Sequence, residues 1–404
     1  KQIFLCKKCC LTRLFLICNN DKKRGEGVTL KKDIDWRSEL KDNITSAEEL
    51  VAEGYAESSM LDELKVLIDK YPMSIPRYYL NLIENKDYSD PIYKMCVASL
   101  QEGLSGGSED TSGEGDNTVS DGVQHKYENT VLVLSTNVCA MYCRHCFRKR
   151  MVGQSEDEVL KFTDQAIEYI STHPEVDNVL ISGGDSLLNS NKVIQRYLEG
   201  LSSLPHIKFI RFGSRTPVVF PQRIYGDSEL MSLFEKYSKR KTIYLVTQFN
   251  HPRELTKESL MATDMLRFAG VPVLNQTVLL KGVNDNVETL VDLFNGLTAN
   301  GISPYYLFQC RPVKGVKDLF SVPLLSAVDI VDETRAKLSG VAKRFRFAMS
   351  HIIGKMEIIG KTQDNRLILK QHQAKGQSDI NKLFTTKVSQ HSTWLPAEFS
   401  CELL

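Results

Sequence analysis

An α/β fold, a partial (β/α)6 barrel with an N-terminal helical domain and a C-terminal extension, is predicted from three observations. Six apolar runs rich in β-formers recur beyond Gln124: TVLVLST (130–136), VDNVLIS (176–182), IKFIRFG (207–213), TIYLVTQ (242–248), PVLNQTVLL (272–280) and PYYLFQC (304–310). Helix-like stretches such as EDEVLKFTDQAIEYIST and VETLVDLFNGLTANG separate them. Polar and reactive residues gather where the runs end. The alternation implies a parallel sheet. A doubly wound dinucleotide-binding sheet would carry Gly-x-Gly-x-x-Gly after its first strand, and none is there. Chemistry at the C-terminal rim is the habit of a barrel, and six units instead of eight leave it partial.

The elements follow in order. Residues 1–30 read as a leader of unassigned role. KQIFLCKKCCLTRLFLICNN mixes apolar and basic residues with Cys6, Cys9, Cys10 and Cys18 and has no acid before Asp21, the composition of a targeting remnant. Residues 31–101 form a helical domain. In it ITSAEELVAEG opens with a capping box, Thr45 followed three residues on by Glu48, and MLDELKVLIDKYP is amphipathic and closed by Pro72. Residues 102–123, rich in Gly, Ser and acids, read as a flexible linker or surface loop. The barrel occupies 124–310, and 311–404 make the C-terminal region and tail.

Composition limits the function. The chain has 404 residues, 42% of them hydrophobic, and a formal charge of +1, which argues against a general polyanion binder and makes any basic function local. No apolar run reaches the length of a membrane-spanning helix. Ten cysteines are too few and too scattered for a disulfide framework, and their clustering at 139–146 points to a reducing compartment and metal chemistry. A cytoplasmic location is expected, with organellar targeting by the leader as the alternative.

The stretch CAMYCRHCFRKR, 139–150, concentrates that chemistry. It follows the first barrel strand and spaces Cys139, Cys143 and Cys146 as C-x3-C-x2-C. Three thiolates on one loop suit three irons of a [4Fe–4S] cube, with the fourth iron left for a substrate amine and carboxylate. Zinc is the competing reading. A structural zinc site takes four closed ligands, His145 lies poorly placed between two cysteines, and no other Cys or His pair has finger-like spacing. A zinc knuckle on nucleic acid also lacks a broad basic face.

C-x3-C-x2-C after the first strand of a βα array is the motif of radical S-adenosylmethionine (SAM) enzymes. CAMYCRHCFRKR, ISGGD, RFGSRTPVVFPQRI, FNHPREL, LNQTVLLKGVND and PYYLFQC resemble the lysine 2,3-aminomutase family, and DWRSELKDNITSAEEL, PRYYLNLI and DYSDPIYK resemble its leading domain. The resemblance spans roughly residues 35–370 in unbroken order. It implies a radical SAM barrel carrying a [4Fe–4S] cluster, SAM and pyridoxal phosphate (PLP), with the C-terminal region closing over PLP and substrate.

Residue by residue, the resemblance implies that Cys139, Cys143 and Cys146 ligate the cluster. Ser182, Gly183, Gly184 and Asp185 lie against the methionine end of SAM, Asp185 receiving its amino group, and Gln276 contacts SAM. Arg148 grips the substrate carboxylate, a task that suits a planar guanidinium. Lys355, in HIIGKMEIIG, forms the Schiff base with PLP, although the family's glycine run is shortened here to Ile352-Ile353-Gly354. The family's phosphate pattern, Arg-Tyr-x-x-Arg, is altered to Lys126-Tyr127-Glu128-Asn129-Thr130, so Lys126 and Tyr127 are assigned to phosphate and the second arginine is gone. Where lysine-specific members place two aspartates for the distal ammonium, this chain has Arg311 and the neighbourhood Met349-Ser350-His351. An acidic substrate such as glutamate is therefore expected.

The implied reaction moves the 2-amino group of an L-amino acid to carbon 3 through a 5′-deoxyadenosyl radical while PLP holds the amino acid. Lysine 2,3-aminomutase proper, a radical SAM enzyme without PLP, and a non-catalytic descendant are the alternatives. Expected partners are a small-molecule amino acid, an electron donor such as flavodoxin or ferredoxin, and a second copy of the chain in a homo-oligomer. Neither nucleic acid nor membrane is among them.

Overall fold

The computed structural model describes residues 35–154, 157 and 159–404. The leader at 1–30, with its four cysteines, lies outside the described residues. Thirteen strands form one continuous sheet in chain order. They are β1 (Thr118–Ser120), β2 (Val123–Tyr127), β3 (Thr130–Leu134), β4 (Asn178–Ser182), β5 (Phe209–Gly213), β6 (Thr242–Thr247), β7 (Val273–Leu279), β8 (Ser303–Gln309), β9 (Arg346–His351), β10 (Gly354–Lys361), β11 (Arg366–Ala374), β12 (Leu383–Lys387) and β13 (Glu402–Leu403).

All six predicted barrel strands are present, β3 to β8, each parallel to the next. No pair between the two ends closes the sheet among the described residues, so the barrel is partial as expected. The sheet continues beyond the expectation at both ends. β2 adds antiparallel to β3, β9 adds a seventh parallel strand beside β8, and β10 to β13 run on antiparallel. Tyr306 pairs in register with Arg346, which attaches the C-terminal region directly to the barrel edge.

The strands obey a period of two. In β4, Val179 and Ile181 are fully buried in one core with Ile170, Ile194 and Leu198, while Leu180 and Ser182 face a cavity inside the curved sheet. In β7, Gln276 and Val278 take the cavity face. The helix Asn191–Ser203 shows how the outer layer is fixed. Ser190 caps it by accepting from the Val193 amide at 3.3 Å, and Ile194, Tyr197, Leu198 and Leu201 recur on its buried side. No helix among the described residues is long and apolar enough to cross a membrane.

Two expectations need correction. The capping box sits one residue later than predicted: Ser46 caps Ala47–Ala52 and pairs reciprocally with Glu49. Thr45 instead donates its backbone amide to the same Glu49 carboxylate at 2.8 Å.

The segment 102–122 is packed in place of a flexible linker. Gly107, at φ +126°, lets the backbone run against Pro312 and Val313, where Ser108 N donates to Pro312 O at 3.1 Å. Its acids are counter-charges for the basic cluster at 144–150. Glu102 is 1% exposed and receives both Arg144 and Lys149, the latter at 2.6 Å. Glu114 receives Arg148 at 3.0 Å and Arg150 at 2.8 Å. Composition alone reads such acids as solvated, because the partners lie dozens of residues onward.

Glu102→Ala is expected to destabilise the protein by about 3–5 kcal/mol, the cost of leaving a buried charge uncompensated. Urea unfolding followed by circular dichroism checks it. A loss under 1 kcal/mol would show that Arg144 and Lys149 find other partners.

Candidate functional site

At the C-terminal ends of β3 to β8 lies a cavity of about 360 Å³. Every residue nominated from the sequence lines it, although the nominees come from six strands and the loops after them. The cavity is electropositive. Lys126, Arg148, Arg211, Arg215, Arg311 and Lys355 face it against the carboxylates of Glu114 and Asp185.

The cysteine loop leaves β3 and is held from below by backbone. Gly183 has φ +113°, and a Cβ there would meet Thr136 O at 2.3 Å; a Cβ on Gly184 would meet Val138 O at 2.4 Å. Gly184 N donates to Thr136 O and Asp185 N to Val138 O at 2.8 Å. The two glycines were expected to let backbone approach a ligand. Here they let the loop after β4 seat the cysteine loop.

Cys139, Cys143 and Cys146 are free thiols on that loop. Burial pushes the Cys139 thiol up, and that of Cys146 to about 11. Among the described residues no three His, Cys, Asp or Glu side chains converge as a single metal ion requires. A cube needs no such convergence, since each thiolate takes its own iron, so the donor set fits a cluster. His145 is turned to other partners. Its Nε2 faces the amide nitrogens of Gln248 at 3.0 Å and Asn250 at 3.3 Å, and burial holds it neutral.

Asp185 corrects an expectation. Its Oδ1 accepts from Ser214 Oγ (2.6 Å) and Leu187 N (3.0 Å), and its Oδ2 from Arg215 N (2.8 Å) and Thr216 N (3.0 Å). A carboxylate offers about four lone-pair sites, so none is left for an amino group. Asp185 ties the loop after β4 to the loop after β5. That second loop delivers Arg215, which the sequence reading missed. Arg215 Nη1 donates to Cys143 Sγ at 2.7 Å while Nη2 pairs with the buried Glu254 at 2.5 Å. Gln276 faces the cavity with no hydrogen-bond partner among the described residues, so its amide remains available to a ligand.

On the opposite wall, Lys355 is the second residue of β10, after Gly354, whose φ of +144° and the closeness of Gln373 O exclude a side chain. Its Nζ lies over the rings of Tyr306 at 4.6 Å and Phe308 at 5.7 Å. No carboxylate pairs with it among the described residues. Burial, and then the charges of Arg211, Arg311, Lys126 and Arg346, bring its pKa down to about 7. An amine so placed is half neutral at neutral pH, which suits it to condense with an aldehyde.

Lys126 and Tyr127 both reach the cavity because the β2–β3 register shifts between Gln124 and Tyr127. Lys126 is already engaged, its Nζ donating to the carbonyls of Ser112 and His351 at 2.8 Å each. Burial lifts the Tyr127 phenol to about 12.

Arg148 donates through Nε and Nη2 to Glu114 and through Nη1 to Gly183 O at 3.3 Å. The carboxylate on its fork is thus the chain's own. Glu114 is held down to about 2 by Arg148, Arg311 and Arg150 against the opposing effect of burial. Arg311 turns inward: its guanidinium stacks on Phe147 at 4.0 Å and donates to Ser112 Oγ at 2.9 Å. Ser350, from the neighbourhood without an acid, lines the same wall. Glu114, Arg211 and Arg215 were not nominated from sequence. The only signal for Arg215 and Arg211 was their place in RFGSR at the end of a strand run, and for Glu114 there was none.

Comparison with known proteins agrees with this geometry. The Radical SAM superfamily model matches residues 133–294, and SAM with a [4Fe–4S] cluster goes with that domain. L-lysine 2,3-aminomutase of Clostridium subterminale is 39% identical over 311 residues, 76% of this chain and 73% of that one. L-lysine 2,3-aminomutase of Fusobacterium nucleatum is 38% identical over 329 residues, 80% and 76%. Glutamate 2,3-aminomutase of Clostridioides difficile is 33% identical over 330 residues, also 80% and 76%. With identity at this level across most of both partners, the chain belongs to the lysine 2,3-aminomutase family of radical SAM enzymes.

Proposed function

We propose that the chain is a PLP-dependent 2,3-aminomutase and that its substrate is an acidic amino acid, glutamate before lysine. The observation that carries the reading is the shared cavity, which brings the cysteine loop, the SGGD turn and Lys355 onto one space. When bound, SAM and the cluster supply a carbon-centred radical, and PLP supplies the conjugation that lets nitrogen pass between adjacent carbons.

The chain's own residues position and exclude. Cys139, Cys143 and Cys146 hold the cluster, and Arg215 fixes the rotamer of Cys143 through its N–H to sulfur. Ser182, Gly183, Gly184 and Gln276 form the SAM wall, with Asp185 as a positioning residue behind it. Lys355 presents a neutral amine, and Lys126 and Tyr127 border the phosphate end. Phe147, Phe308 and Val278 keep water from the reacting carbons.

Charge supports the substrate class. Arg148, Arg150 and Arg311 surround one carboxylate, Glu114. Of these, Arg148 and Arg311 line the cavity, and an amino acid with a second carboxylate would find positive charge there. A lysine side chain would instead meet Arg311, a repulsion of about 4 kcal/mol at 4 Å and an effective dielectric near 20. Anaerobically reconstituted, reduced enzyme given SAM, PLP and equal glutamate and lysine should form the β-isomer of glutamate faster. Faster isomerisation of lysine would overturn the substrate assignment, and no β-amino product from any amino acid would overturn the aminomutase reading.

A further inference from the structure

A guanidinium is missing from the phosphate end of the cavity. Where the family pattern has its second arginine, this chain has Thr130, and Lys126 spends two of its N–H groups on backbone carbonyls. Another arginine on the same cavity is largely unspent. Arg211 stands on β5, in register with Leu180 of β4 and Tyr244 of β6, on the face that lines the cavity.

Its Nη2 donates to Asn178 Oδ1 at 2.5 Å. The Asn178 amide in turn donates to Thr130 Oγ1 at 2.9 Å and to Asn129 O at 3.0 Å. The guanidinium is therefore tied, through one side chain, to the position that lost its arginine. Its Nε is buried with no hydrogen-bond partner. No carboxylate forms an ion pair with it among the described residues, and Asp177, the acid that acts on it, is paired with Lys208 at 2.9 Å. A buried guanidinium without a counter-anion is costly, and a dianionic phosphate with oxygens for a fork is its chemical complement. Arg211 and Lys355 line the same cavity, and of the neighbouring charges that of Arg211 acts most on Lys355.

We propose that Arg211, oriented by Asn178, binds the phosphate of PLP in this chain and replaces the arginine lost at Thr130. The inference rests on the reading that PLP is carried at Lys355, and the test separates the two. Cluster-free wild type and Arg211→Gln are titrated with PLP and with pyridoxal, which lacks the phosphate. Schiff-base absorbance gives the affinities, and borohydride trapping with peptide mass analysis gives the attachment site. Wild type should bind PLP in preference to pyridoxal. Arg211→Gln should weaken PLP on the order of 10- to 100-fold, the worth of charge-assisted hydrogen bonds, and leave pyridoxal unchanged. Adding Thr130→Arg to that variant should restore PLP affinity. If Arg211→Gln fails to fold, Arg211→Lys, which keeps charge and loses the fork, should still weaken PLP relative to pyridoxal. A variant that keeps wild-type preference for PLP overturns the role of Arg211 while the PLP reading stands. Wild type that traps no adduct at Lys355 overturns both.

Discussion

Cys143→Ala is expected to abolish iron–sulfur cluster assembly and, with it, all turnover. On the proposed reading each of the three thiolates serves its own iron, so none is redundant. Cys143 differs from its neighbours in having its sulfur fixed by Arg215, which is itself anchored on Glu254. Removing the thiol leaves that buried ion pair intact, so the protein keeps its fold while the cluster is lost. The measurement is iron and sulfide content after anaerobic reconstitution, with the broad visible absorbance that dithionite bleaches. Circular dichroism on the same sample establishes that the fold survives. Stoichiometric zinc and no iron in the wild type would show that the cysteine loop serves another metal.

Lys355→Ala is expected to lower turnover by on the order of 10²–10⁴-fold, the range for losing a positioned catalytic group, and to eliminate the covalent PLP adduct. The pH dependence in the wild type follows from a pKa of about 7. Only the neutral amine attacks an aldehyde, so PLP condensation should accelerate from pH 6 to 8 and level off above. Linkage has the same sign. The unfolded lysine titrates near 10.4, so between about pH 7 and 10 the unfolded chain holds a proton that the folded site does not, and PLP-free protein gains stability as pH rises through that window. A condensation rate that keeps rising to pH 10 would place the Lys355 pKa near its ordinary value. An adduct retained in Lys355→Ala would move PLP to another lysine.

Much of this was legible in the sequence because the relevant patterns are local. The six barrel strands are apolar runs bounded by turn residues, and all six formed. The cysteine spacing and Ser182-Gly183-Gly184-Asp185 are contiguous, so their place at a strand's end could be read directly. What escaped was non-local. Ser46 and Thr45 are both competent caps, and only the extended backbone at Ser46 decides between them. Arg211 and Arg215 looked like ordinary residues of a motif until the sheet curved and set them on the cavity. An acid after two glycines suggests a ligand contact at Asp185, whereas Leu187 N and the loop after β5 together take its lone pairs. The strands β9 to β13 could not be placed, since nothing local says that β9 will extend the parallel sheet before β10 to β13 turn antiparallel.

The packing of 102–122 has a practical consequence for anyone cutting the chain. Composition marks this stretch as the natural place to excise the barrel, yet a fragment starting at Gln124 would lack both Glu102 and Glu114. Arg144, Arg148, Lys149 and Arg150 would then crowd one short loop without their carboxylates, next to the three thiols it carries. Mutual repulsion would splay the cysteines before any iron arrived. A fragment meant to receive the cluster is therefore expected to need a start upstream of Glu102.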